Sequence, residues 1–198
     1  MLALEASNHT MKIYILRHLA TTDNEQGING AQTDTPLSEN GKLKAKELVS
    51  ELSENTYDAF IVSPLQRTLQ TIQPYLDTLH NPKIIVEPLT IERDLGELTN
   101  SRDGDGLIEN HRKEQGGDNI SWTPPEGESI HHVYARAKKF LENLKSLPYE
   151  SVLISGHQNF LRCFEMFLLD RPAEDFYIEE PPLLKNGEKR MYEINTIS

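Results

Sequence analysis

Apolar positions along the chain fall into two alternating patterns, short continuous runs and longer stretches with helical spacing. Lys12-Ile13-Tyr14-Ile15-Leu16, opened by Met11, is rich in bulky and β-branched residues and gives way at once to polar ones, which predicts a buried strand entering a loop. Ala59-Phe60-Ile61-Val62, Lys83-Ile84-Ile85-Val86 and Ser151-Val152-Leu153-Ile154-Ser155 are further runs of this kind, and Met191-Tyr192-Glu193-Ile194 predicts a last strand. Between them the period changes. Ser38 to Leu52 presents Leu43, Leu48 and Leu52 on one helix face, and Ser129 to Leu144 presents Ile130, Val133, Ala137, Leu141 and Leu144. Leu65, Leu69, Ile72 and Leu76 predict a helix running to Leu79, with Ser63 as its cap and Pro64 at its first position. After Gly156, residues Phe160, Leu161, Phe164, Phe167 and Leu168 share one face of another.

Strands alternating with helices of this length predict an α/β fold, a single domain built as a three-layer α/β/α sandwich around a mostly parallel sheet. In such sheets ligands bind beyond the carboxyl ends of the strands. Residues 11–198 form the expected domain, and residues 1–10 are expected to be a loose tail or an expression remnant. The stretch 100–125 is rich in Gly, Asp, Glu and Asn without a clear period, and it is expected to be a long loop or lid over the site.

Composition narrows the function. The formal net charge of −11 argues against nucleic acid, because contacts to phosphate backbones need clustered Lys and Arg. A site for an anionic substrate must then be a local cationic pocket inside a repelling overall field. The single Cys163 excludes an internal disulfide framework and points to a reducing, cytoplasmic setting, with the thiol buried and inert. No apolar run approaches the roughly 18 residues needed to cross a bilayer, and residues 1–10 lack the pattern of a signal peptide, so no membrane partner is expected.

Four strand ends carry the candidate chemistry. Arg17-His18 follows the first strand, Ser63 and Arg67 the second, Glu92 the third, and Gly156-His157 the fourth. Attack on a phosphomonoester needs cations around the non-bridging oxygens, and Arg17 and Arg67 supply planar, paired donors for them. A neutral imidazole at His18 can attack in line and form a covalent intermediate that water later cleaves. His157 would hold a phosphate oxygen and stabilise developing charge. The leaving oxygen needs a proton, for which Glu92 is the candidate and Glu97 the reserve. His111, His131 and His132 have no metal-ligand spacing around them, so neither metal nor cofactor is expected. Trp122 is expected to pack the lid.

With these residues in place, the chain resembles the histidine phosphatase superfamily, also called phosphoglycerate mutase-like. Arg17-His18-Leu19-Ala20-Thr21 is similar to its Arg-His-Gly-x-Thr signature except at the glycine, and Asn24 stands at the family's downstream Asn. Asp34-Thr35-Pro36-Leu37-Ser38-Glu39-Asn40-Gly41, Ser63-Pro64-Leu65-Gln66-Arg67-Thr68-Leu69-Gln70-Thr71, Glu92-Arg93-Asp94-Leu95-Gly96, Pro125-Glu126-Gly127-Glu128-Ser129 and Ser155-Gly156-His157 follow in family order. The resemblance implies a metal-independent phosphatase with His18 as nucleophile, Glu92 as proton donor, and a phosphate pocket of Arg17, Arg67 and His157, with Asn24 and Gln158 added on the substrate side. Phosphorylated small molecules or phosphopeptides are the implied partners. A mutase-type phosphotransferase and a non-catalytic phosphate-binding module are the alternative readings. Leu19 in place of Gly is expected to make the pocket wall bulkier.

Overall fold

A computed structural model describes residues 8–102, 105–116 and 118–197. Five strands form one sheet in the order β3-β2-β4-β1-β5: β1 (Asn8–Arg17), β2 (Ala59–Val62), β3 (Ile84–Val86), β4 (Ser151–Gly156) and β5 (Lys189–Ile197). The β3–β2, β2–β4 and β4–β1 pairs are parallel, and β5 runs antiparallel beside β1. Alternation along each strand then sorts side chains to two faces. Ile13 and Ile15, Ala59 and Ile61, and Val152 and Ile154 join one buried cluster with α5 (Ile130–Lys145) and α6 (Gln158–Leu168). Tyr14 and Leu16, Phe60 and Val62, and Leu153 join the other with α2 (Glu39–Leu52) and α3 (Gln66–Leu76), while α1 (Thr22–Glu25) is a single turn after β1. The chain is thus a single-domain three-layer α/β/α sandwich.

Several boundaries differ from the sequence expectation, each for a local reason. β1 begins at Asn8 and not at Met11, because Asn8, His9 and Thr10 pair with Ile197, Thr196 and Asn195 of β5. The expected tail therefore loses its last three residues to the sheet, while residues 1–7 lie outside the described ones. Leu43, expected on the apolar face of α2, is exposed, and Gly41 and Ala45 take the buried positions with Leu48 and Leu52. Ser63 does not cap α3, whose first residue is Gln66 and whose cap Leu65 offers no side-chain bond. Its hydroxyl is engaged elsewhere, by His157. Within 100–125 the chain forms a helix, α4 (Leu107–Glu114), where a loop was expected. Beyond it Trp122 is buried and donates its indole N–H to the side chain of Gln115, the residue that ends the helix, at 3.0 Å. Cys163 is buried in the core, where burial pushes its thiol pKa up. Among the described residues no helix is long and apolar enough to cross a membrane.

Candidate active site

The register of the sheet assembles the site. Arg17 pairs with Gly156 across the parallel β1–β4 ladder, so the residues that follow, His18 and His157, leave neighbouring strands at the same level. Their ring centroids lie 5.2 Å apart. Ser63 leaves β2 on the far side of β4 and donates its N–H to the Ser155 carbonyl at 3.3 Å. All of this lies at the carboxyl ends of the parallel strands.

His18 is buried, and its Nδ1 is 2.7 Å from the Leu19 carbonyl oxygen. A carbonyl only accepts, so Nδ1 carries the hydrogen and the Nε2 lone pair of the neutral ring is left for chemistry. Burial, with the positive charges of Arg67 and Arg17 adding to it against the Leu19 contact, pushes the His18 pKa down from 6.5 to about 3. The imidazole is therefore neutral throughout the physiological range. His157 is fully buried and is likewise held neutral, first by burial and then by Arg67. Its Nδ1 accepts the Arg67 Nε–H at 3.2 Å, so its Nε2–H donates to Ser63 Oγ at 2.7 Å.

Arg67 is fixed from three directions. Besides Nε, its Nη1 donates to Thr33 O at 2.6 Å and its Nη2 to Ala31 O at 2.8 Å. Those bonds use three of the five guanidinium N–H groups and leave one on each terminal nitrogen for an anion. Arg17 donates from Nη1 to Leu184 O at 2.8 Å.

Glu92 sits at the amino end of α6, where first-turn N–H groups lack helical partners. Its Oε2 accepts from Asn159 N at 3.3 Å, and its Oε1 from Phe160 N at 3.3 Å and Arg93 N at 2.7 Å. The loop that carries it is pinned by Arg136 of α5 on one side and by Glu128, just before that helix, on the other. Arg136 donates to the carbonyls of Leu89 at 2.7 Å and Ile91 at 2.6 Å, and it grips both carboxylate oxygens of Glu128 at 3.1 Å. Glu128 in turn accepts from Asp94 N at 3.0 Å. Gly96 closes this loop at φ +52°, where an added Cβ would stand 1.9 Å from the Pro125 oxygen, so only glycine fits.

Arg17, His18, Asn24, Arg67, Glu92 and Gln158 all line one cavity of about 150 Å³. Glu97, the reserve acid, is exposed and does not line it. His157 is fully buried and does not line it either, and both its ring nitrogens are bonded, to Arg67 and Ser63. Leu19 is a second departure from expectation. Its side chain is buried in the α2–α3 core, against the place where a Cβ on Gly187 would be, and leaves the pocket wall untouched. Its backbone has no positive φ, so a side chain costs nothing there. Asp23, Asn29, Arg93 and Asn159 line the cavity as well. Asp23, Arg93 and Asn159 are sequence neighbours of Asn24, Glu92 and Gln158, a signal that adjacency alone could have supplied; Asn29 had none. No group of three or more His, Cys, Asp or Glu side chains suited to a metal ion occurs among the described residues.

A neutral buried imidazole facing arginines and a carboxyl at the strand ends of an α/β sandwich defines an enzyme that handles phosphate esters. The chain belongs to the histidine phosphatase superfamily (branch 1), whose family model matches residues 13–184. Phosphoserine phosphatase 1 of Hydrogenobacter thermophilus is 29% identical over 175 residues, 84% of this chain and 80% of that protein. Fructose-2,6-bisphosphatase TIGAR B of Danio rerio is 33% identical over 139 residues, 68% of this chain and 53% of that one. The chain thus spans about half the length of the zebrafish relative, and a Schizosaccharomyces pombe relative at 32% identity is matched over 58% of its length. The alpha-ribazole phosphatase from Shigella flexneri shares the fold at a TM-score of 0.80 and 23% identity, with 95% of each chain covered.

Proposed function

We propose that the protein hydrolyses phosphomonoesters through a phosphohistidine on His18. One observation carries this reading: the Nδ1–H of His18 is bound to the Leu19 carbonyl, so the Nε2 of a neutral ring is the free nucleophile in a cavity shared with Arg17, Arg67 and Glu92. Arg17 and Arg67 hold the non-bridging oxygens and neutralise the charge that gathers on them. His18 Nε2 forms a bond to phosphorus as the ester oxygen departs, and Glu92 gives that oxygen its proton. In the second half Glu92, now ionised, takes a proton from water, which attacks phosphorus and breaks the P–N bond. His157 acts by holding the Arg67 guanidinium through its Nε–H.

The substrate class follows from the cavity and the relatives together. A space of about 150 Å³ lined mainly by charged and amide side chains suits a phosphorylated small molecule. The relatives named above as phosphatases act on compounds of that kind. A cytoplasmic setting belongs to the same proposal, supported by a lone buried cysteine with no disulfide.

Hydrolysis of p-nitrophenyl phosphate in excess EDTA tests the chemistry. Wild type should keep its full rate and yield an acid-labile phosphoenzyme, and His18→Ala should fall to the background rate with no label. Wild-type turnover in the variant would refute the nucleophile assignment.

A further inference from the structure

The turn that leads into β5 lies against the backbone of the nucleophile. Gly187, at φ +79°, donates its N–H to the Arg17 carbonyl at 3.0 Å, and Arg17 donates its own to Glu188 O at 3.1 Å. Glu188 closes the turn, its carboxylate accepting the Lys185 N–H at 2.9 Å. A side chain on Gly187 would strike Leu19 Cδ2, 2.6 Å from the Cβ position, so the turn and residue 19 fit one another closely. These contacts place Asn186 over the peptide that joins His18 to Leu19. Its Nδ2 donates to the His18 carbonyl at 2.9 Å and lies 3.5 Å from Asn24 Oδ1 on the cavity wall. The N–H of the same peptide donates to Thr71 Oγ1 at 2.9 Å, and Thr71 Oγ1 donates onward to the Arg67 carbonyl at 2.7 Å. Both polar groups of one peptide are thus held by side chains remote in sequence, one from α3 and one from the turn.

That peptide sets the aim of the ring. The carbonyl one residue further, Leu19 O, is the acceptor that fixes His18 Nδ1, and any rotation of the peptide plane would carry the ring with it. We infer that Asn186 is a positioning residue for the nucleophile: its amide locks the His18–Leu19 peptide and ties it to Asn24, so that Nε2 stays in line with the bound phosphorus. The family match ends at residue 184, short of this side chain. The inference rests on His18 being the nucleophile. The amide suits this place because the His18 carbonyl and Asn24 Oδ1 are both acceptors, and its NH2 group offers a neutral donor to each.

The test is rapid-quench measurement of phosphohistidine formation from labelled p-nitrophenyl phosphate by the full chain. Asn186→Asp keeps the shape and replaces the donor with an oxygen facing the His18 carbonyl; Asn186→Ala removes the contact. Both should slow phosphoenzyme formation about 10- to 100-fold, the scale of a small misalignment of reacting groups. KM should move by less than about threefold, and the exposed turn neighbour Lys185→Ala should behave as wild type. Wild-type rates of labelling in both Asn186 variants would overturn the inference and leave the His18 reading intact. Absence of labelled phosphohistidine in wild type would overturn the His18 reading itself, and the inference with it. Should both variants fail to fold, proton exchange at the Asn186 side-chain amide of wild type decides: protection supports the contact, and exchange at the rate of a free amide overturns it.

Discussion

At the scale of single residues, the site separates its roles by what each side chain is bonded to. His18 has one ring nitrogen tied to backbone and one left over, whereas His157 has both engaged. Two imidazoles with similar burial therefore serve differently, one available for attack and the other fixing an arginine. Glu92 lines the same cavity from the amino end of α6, which is the placement the proposed proton donor requires. Replacing Glu92 with Gln should lower kcat for alkyl phosphates by about 10²- to 10⁴-fold, the usual contribution of general acid catalysis. The loss on p-nitrophenyl phosphate should be much smaller, because nitrophenolate leaves without a proton. Equal losses on the two substrates, measured side by side, would remove Glu92 from the role.

At the scale of elements, α5 does work for the site without touching the cavity. Ser129 caps it by accepting the His132 N–H at 3.2 Å, a cap worth about 1 kcal/mol. Two turns beyond that cap Arg136 holds the Leu89 and Ile91 carbonyls and Glu128, so the helix and the Glu92 loop form one bonded unit. Arg136→Met keeps the length but frees two carbonyls and a carboxylate, and should cost about 1–3 kcal/mol in stability for the bonds lost. Its kinetic mark should be the same leaving-group dependence as Glu92→Gln, in milder form. A variant that is less stable yet shows no change in that dependence would mean the loop keeps its position without Arg136.

At the scale of the whole molecule, the site is a cluster of buried basic groups, and folding must keep two imidazoles uncharged. In the unfolded chain His18 takes up a proton below 6.5, whereas in the fold it does so only near 3, so the unfolded state binds more protons in that window. Stability should accordingly fall as pH drops from 6.5 toward 3. His157, depressed in the same direction, steepens the fall. Denaturant midpoints measured across that range should decline less in His18→Asn than in wild type. Parallel curves would show that other groups dominate the acid limb.

The periodicity of the chain by itself determined the layers, since strand runs and helix faces are local consequences of which residues need burial. It also places Arg17, His18, Arg67 and Glu92 after the ends of successive strands, which suffices to group them at one edge of the sheet. What only the tertiary structure decided were matters of partnership. Whether Ser63 would cap a helix or bond His157, whether Leu19 would face the pocket or the core, and whether His157 would meet substrate or Arg67 each depend on groups tens of residues away. Competing partners of that kind leave no trace in local spacing, because a hydroxyl or a ring nitrogen suits several neighbours equally until the sheet register selects one. Asn186 is the extreme case: nothing in its surroundings along the chain connects it with the nucleophile, and the antiparallel pairing of β5 with β1 alone carries it there.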